Sequence, residues 1–573
     1  QPSELCPPLD PITAAFFCRS KADRLLKMDM AVDGDRDGEV TFEGADTTSE
    51  DEPFRFWLNN DSDIAEVGES PTGAADSSNN EISTKRDLED FARLSFTTDV
   101  IQDQLKSGDI ELGFKWKGAE GSPSLKLYWS AMSDGSKLYV EDDEEADLQM
   151  DAKYKTALGT VSGSTATYVD KKVFESIEDD DKVHFLFEGV SAGKGELIMT
   201  LKMNGTESET SGEWIELLPI EKMYQTANAT PTGGFNSTLQ NTATAPSYPS
   251  FGHSIESGFE AAWDETQNAT VFIHGWRTPA EGSRMAAEIM FKRLWWQGYQ
   301  GRFIYFRWPT LTGDYTFSDS ELRAWKYGDS LKSLLDSGIP NGYRKNVVAH
   351  SLGNIVVGGA IKRGASMNTY VAMQAAIPAG CYDTSSSDNY FAAKSTPDLA
   401  DPDKGYRGHL SDTSINVINY FNPSDYALVA GTYNTFFFGS YDTNWRKWQR
   451  DYKPRYGSLG TAWDGDIRYI YNPSDPSLIL RLYLFRDRPI AANDDEILRY
   501  VNDIEESMSM IASSKSAALG ATSISKSGSQ NLDLSDNSLG EFTDSAADHS
   551  GQFNRPIQGA FDFYSSLSGF VNE

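Results

Sequence analysis

The sequence predicts a mostly parallel α/β sheet flanked by helices in its C-terminal part, preceded by an all-β, sandwich-like region. Three observations carry this. After residue 250, short apolar runs alternate with helix-length stretches, the rhythm of βαβ units. Earlier in the chain, short β-patterned runs are separated by Asp, Gly and Ser clusters. Between the two, Thr226 to Ser250 reads TANATPTGGFNSTLQNTATAPSYPS, rich in Thr, Asn, Pro, Gly and Ser and without apolar periodicity. The expected organisation is a β-rich accessory domain over 1–230, a linker over 231–250 and an α/β domain over 251–573.

In chain order, the first region offers strands at Arg93 to Phe96, Ile110 to Trp116, Ser124 to Trp129, Val183 to Phe187 and Glu196 to Met203. The acidic runs Glu141 to Asp147 and Glu178 to Asp181 read as solvated loops. Past the linker come a strand at Ala269 to Ile273, a helix around Arg284 to Trp296 and a strand at Arg302 to Arg307. A helix around Ser320 to Leu335 leads to a strand at Asn346 to Ala349 and a helix at Leu352 to Arg363. Strands at Thr369 to Gln374 and Ile415 to Phe421 complete the readable series.

Composition excludes several classes. A chain of 573 residues with 39% hydrophobic and 24% charged residues has room for at least two real cores and is not a disordered polymer. Lys and Arg total 51 against 85 Asp and Glu, a net charge of -34, which repels polyphosphates and makes nucleic acid an unexpected partner. No stretch approaches the 18 or so apolar residues a membrane-spanning helix needs. Of three cysteines, Cys6 and Cys18 would close a short loop or remain buried thiols, and Cys381 is left over. The start at Gln1, without Met or an apolar signal region, reads as a mature secreted chain or a trimmed one.

The sharpest chemical signal is Asn346-Val-Val-Ala-His-Ser351-Leu-Gly-Asn, an apolar strand running through a serine into a helix. Ala349 and Gly353 are the small residues needed two before and two after a nucleophile carried on a strained strand-to-helix turn. A hydroxyl needs a base, and after this turn the expected chain order is serine, acid, histidine. His549 follows the best acid candidate, whereas His409 precedes it, so elimination favours His549. Asp425, just past the strand ending at Phe421, is the expected acid, with Asp383 as the alternative. Leu352, after the serine, and Trp276, in the loop Ile273-His274-Gly275-Trp276, are the expected amide donors to an oxyanion. His274 is expected to orient that loop. Trp276 and Trp308 are expected to line the substrate cleft, and Trp445 and Trp448 are further candidates.

Ala349-His-Ser-x-Gly353, together with Phe306-Arg-Trp-Pro-Thr310, resembles the α/β-hydrolase superfamily, in particular bacterial esterase and lipase-like members. The similarity runs from about Phe251 to the C-terminus. It implies Ser351 as nucleophile, Asp425 as acid, His549 as base, and Trp276 and Leu352 as oxyanion donors, with no cofactor for catalysis. The stretch between Asp425 and His549 is longer than a minimal hydrolase needs, so an insertion or lid is expected at about 430–540.

A second signal lies at Asp33-Gly-Asp35-Arg-Asp37-Gly38-Glu39. Alternating carboxylates with glycine in sixth place suit a hard cation, so Asp33, Asp35, Asp37 and Glu39 (by its backbone) are the expected ligands of a structural calcium. Asp46, Asp61 or Asp63 would complete the shell; an empty acidic turn is the alternative. The twelfth position is Gly44, so an EF-hand is not expected. The combined expectation is a secreted serine hydrolase cleaving carboxylic esters. Its rivals are an enzyme for polymer- or polysaccharide-linked esters anchored by the first domain, and a catalytically inactive binding or adhesion protein.

Overall fold

The computed structural model describes residues 28–60, 80–98, 101–175, 182–230, 251–276, 278–310, 317–382, 410, 414–425, 427–428, 460–464, 467–471, 479–483, 518–536, 538–540 and 549–572. Cys6, Cys18, Asp61, Asp63, Asp383, His409, Trp445, Trp448 and the linker 231–250 lie outside these residues.

The first sheet has eight strands: β1 Met30–Ala31, β2 Phe54–Trp57, β3 Ala92–Thr97, β4 Ile110–Trp129, β5 Gly159–Ser162, β6 Thr167–Tyr168, β7 Lys182–Met203 and β8 Thr206–Leu218. Their order is β1-β3-β7-β4-β5, with β6 on β4 and β8 joining β7 to β2. Runs that look separate in sequence are continuous here, because β4 and β7 each carry their bulges without breaking the ladder. The β7–β8 hairpin turns on Asn204 and Gly205 at φ 51° and 81°, left-handed values that an Asn-Gly pair adopts at low cost. Helices punctuate the sheet: α1 Gln102–Ser107, α2 Leu138–Glu141, α3 Asp143–Gln149 and α4 Lys172–Glu175. The acidic run Glu141 to Asp147, expected as loop, is therefore largely helical, since the Asp142 carboxylate accepts the amides of Glu144 (2.9 Å) and Glu145 (3.1 Å) and caps α3, whereas the run Glu178 to Asp181 lies outside the described residues.

The second sheet joins β9 Gln225–Thr230, β10 Gly252–Ile255, β11 Asn268–Ile273, β12 Arg302–Arg307, β13 Arg344–His350, β14 Thr369–Met373, β15 Asn416–Phe421 and β19 Ser529–Asp533. Its order is β10-β9-β12-β11-β13-β14-β15-β19. Within the stretch expected as an insertion, β16 Gly460–Asp464, β17 Ile467–Tyr471 and β18 Ile479–Tyr483 form a small antiparallel sheet, whereas β19 belongs to the large one. Helices α5 Ala280–Trp295, α6 Phe317–Ser333, α7 Gly353–Lys362, α8 Gly551–Asn554 and α9 Phe561–Asn572 accompany this sheet.

These directions correct the expected fold class. The first region is not an all-β sandwich of two face-packed sheets: it is one sheet interleaved with helices, and β2 runs parallel to β8 among antiparallel neighbours. The second sheet is mixed as well, because β10 lies antiparallel to β9. The molecule is a mixed α and β architecture with two mixed sheets, and the α/β-hydrolase assignment does not stand. The physical reason for the miss is local. Strand β9 reads as linker because its inward side chains are Ala227 and Ala229, both fully buried yet too small to mark an apolar rhythm.

Alternation along the strands feeds two cores. Val271, Ile273, Val347 and Ala349 face a cluster with α6 and α7, while Phe272, Val348, Val371 and Ile418 face a cluster that includes α5 and α9. That second cluster is continuous with the core of the first sheet. At the joint, the Trp295 ring of α5 meets Phe54, Phe56 and Trp57 edge-on, with centroids 5.9, 5.3 and 5.1 Å away. Among the described residues no helix is long and apolar enough to cross a membrane.

Candidate functional site

Strand β13 delivers its last residue to the carboxyl edge of the sheet, and the chain reverses at Ser351 into α7. Ser351 sits at φ 52°, a left-handed value that a non-glycine residue holds only when its surroundings impose it. Those surroundings are identifiable. The Ser351 amide donates to the Met373 carbonyl (3.1 Å), and the Ser351 carbonyl accepts from the Ala376 amide (3.0 Å) and the Asn354 side chain (2.8 Å). Gly353 has to be glycine, since a Cβ there would lie 2.7 Å from the carbonyl oxygens of both Ile273 and His274. Gly275 is equally constrained: its Cβ would fall 2.9 Å from the Ser351 Cβ, so the loop carrying Trp276 passes directly over the serine.

The three residues expected to act together are together. The Ser351 hydroxyl and His549 Nε2 are 2.9 Å apart, and His549 Nδ1 and Asp425 Oδ2 are 2.7 Å apart. Asp425 is fully buried, and its Oδ1 accepts the amides of Ala427 (2.8 Å) and Leu428 (3.2 Å), which fixes the carboxylate plane. With Nδ1–H committed to the acid, the Nε2 lone pair faces the hydroxyl, the tautomer a proton acceptor requires.

Leu352 is buried at the opening of α7, and Trp276 is half-buried against the core on the α6–α7 side. His274 shapes the loop between them. Its Nδ1–H donates to the Gly275 carbonyl (3.0 Å), its carbonyl accepts the Trp308 indole N–H (2.9 Å), and its ring stacks on Trp308 at 5.5 Å. Burial pushes His274 down to about 4, so it is neutral at ordinary pH. Trp308, expected to line the cleft, is 1% exposed, and it supports this loop from within the core.

Two residues at the site escape the sequence reading. Gln374, fully buried at φ 41° immediately after β14, donates from Nε2 to Asp425 Oδ2 (3.0 Å). His350, beside Ser351, places Nε2 2.7 Å from the His549 carbonyl. A polar residue ending a parallel strand beside the strand that leads to Asp425 was the available signal for Gln374; nothing local marks the contact made by His350. Two other histidines lie elsewhere, His184 against Ser95 and His253 against Ser333.

In the first region, Asp33, Asp35 and Asp37 each offer an oxygen within 4.8 Å of the others. Asp46 does not extend this set, because its Oδ1 accepts the Gly34 amide (2.7 Å) and its Oδ2 the Thr41 amide (2.6 Å), bracing the loop. Exposed Glu39 donates its amide to Asp37 Oδ1 (2.8 Å). Asp33 is 7% exposed; one oxygen pairs with Arg93 and the other, Oδ1, is buried without a hydrogen-bond partner. A hard divalent cation fits this all-oxygen donor set.

No protein-family model matches this chain, and no curated protein matches it in sequence.

Proposed function

We propose that the protein is a serine hydrolase that cleaves carboxylic esters through an acyl-enzyme. The observation that carries this reading is the unbroken line from the Ser351 hydroxyl through His549 to the buried Asp425. In the proposed reaction Ser351 Oγ attacks the ester carbonyl as His549 Nε2 takes its proton, and the resulting imidazolium is stabilised by Asp425. The amides of Leu352 and Trp276 receive the oxyanion, the first aided by the N-terminus of α7. His549 then returns the proton to the departing alcohol. A water deprotonated by His549 attacks the acyl carbonyl, releasing the acid and restoring Ser351.

A fluorophosphonate tests the reading: wild type is expected to acquire one covalent phosphonyl group, and Ser351→Ala none. Absence of an adduct on wild type, or equal labelling of Ser351→Ala, would leave the inactive binding protein as the better account. The loop over 33–37 is proposed as a structural calcium site, supported by its three convergent carboxylates and the unpartnered Oδ1 of Asp33.

A further inference from the structure

The segment Lys85–Asp90 is a six-residue 3-10 helix in the first region, yet Arg86, Asp87, Glu89 and Asp90 are all buried. Four charged groups in so short a stretch are costly to bury, so their partners reveal what the segment does. Asp87 accepts the amides of Ser83 (2.9 Å) and Thr84 (3.0 Å) and so shapes the segment itself. Asp90 pairs with Lys292 (2.6 Å) and Glu89 with Arg293 (2.9 Å), both on α5. Arg86 reaches the other way: its Nη1 donates to the carbonyls of Phe553 (2.9 Å) and Arg555 (3.1 Å). Arg293, held by Glu89, donates to the carbonyls of Gln552 (2.8 Å) and Arg555 (2.7 Å).

These acceptors lie at the C-terminal end of α8, where backbone carbonyls lack intrahelical partners and cationic donors are favoured. Helix α8 begins two residues after His549. Only Ser550 and Gly551 separate that histidine from the first clamped carbonyl, that of Gln552, which the Tyr564 hydroxyl also holds (2.9 Å). The Phe553 ring in turn lies against His350, with centroids 5.3 Å apart. The loop bearing the imidazole is therefore held from behind by two guanidinium groups, one belonging to the first region and the other oriented by it.

We propose that the first region is a positioning device for the general base. Arg86, together with Arg293 held by Glu89, fixes the carbonyls of residues 552, 553 and 555 and so keeps the His549 imidazole within reach of Ser351. This rests on the serine-hydrolase reading. Arg86 is a positioning residue, more than one contact away from the reacting atoms.

The test uses the full chain with Arg86→Met, steady-state hydrolysis of a soluble nitrophenyl ester, and hydrogen exchange of peptides spanning 549–556 and 344–351. The expected result is a kcat lowered about ten- to a hundredfold, the scale of a misplaced catalytic group, with KM within about twofold. Exchange should quicken over 549–556 and stay unchanged over 344–351. Arg86→Lys keeps the buried charge and one donor and serves if the Met variant does not fold; it should fall between wild type and Arg86→Met. Wild-type kcat with unchanged exchange at 549–556 in a folded variant would overturn the proposal, as would a loss matched by faster exchange in both peptides. If wild-type protein neither hydrolyses the ester nor takes a fluorophosphonate, the hydrolase reading itself fails and the positioning of a base falls with it. Exchange at 549–556 would still separate that outcome from a failure of the Arg86 hold.

Discussion

His350 Nε2–H donates to the backbone carbonyl of His549 across 2.7 Å, so the residue preceding Ser351 holds the main chain of the residue that faces it. Burial, reinforced by the neighbouring His549 ring, pushes His350 down to about 3, which keeps it a neutral donor at working pH. His350→Leu removes the donor and leaves that carbonyl without it. Its kcat for a soluble ester should drop by about tenfold or more, whereas His350→Gln, with an N–H on a side chain of comparable length, should retain part of it. Full wild-type kcat in His350→Leu would show that the bond is not needed to place His549.

Gly353→Ala tests the elbow. The added methyl would sit 2.7 Å from two backbone carbonyl oxygens, which cannot rotate away, so α7 has to shift from β11. The expected cost is about 1–3 kcal/mol in chemical denaturation, with a fall in kcat as the serine moves. Wild-type stability and turnover together would mean that the helix and strand leave room for a methyl group at this position.

His274 makes stability depend on pH. Its folded pKa is depressed to about 4 by burial, against about 6.5 for the unfolded chain. Below 6.5 the unfolded state takes up a proton that the folded state refuses. This contribution is therefore complete above 6.5 and lost as pH falls towards 4. Buried acids pushed upward, such as Glu213 at about 7, act in the opposite sense. The informative quantity is thus the difference in slope: Tm of His274→Asn should fall less steeply from pH 6.5 to 4 than that of wild type. Parallel slopes would mean that His274 takes up its proton as readily in the fold as in the unfolded chain.

For the loop over 33–37, millimolar calcium should raise the melting temperature of wild type but not of Asp35→Ala. Saturation a hundredfold above Kd corresponds to about 2.7 kcal/mol. Identical melting curves with and without calcium would retire the metal reading.

Local pattern was enough for the strands β11, β12 and β13, for α5 and α7, and for the turn at Ser351. Each depends on alternation, helical spacing or small residues within a few positions. The choice of His549 and Asp425 also came from the sequence, by way of chain order and elimination. Strand β9 and the Asp142-capped helix did not, because alanines and acidic runs look like linker and loop until something covers or caps them.

The order of residues along the chain determined which groups were available to react and where the backbone had to turn sharply, since both are matters of neighbours in sequence. Only the tertiary structure decided how strands paired across the mixed sheets, that Gln374 supports an acid 51 positions away, and that Arg86 grips a carbonyl 467 positions away. Such contacts are selected by the packing of the whole chain, and no local periodicity encodes the distance they span.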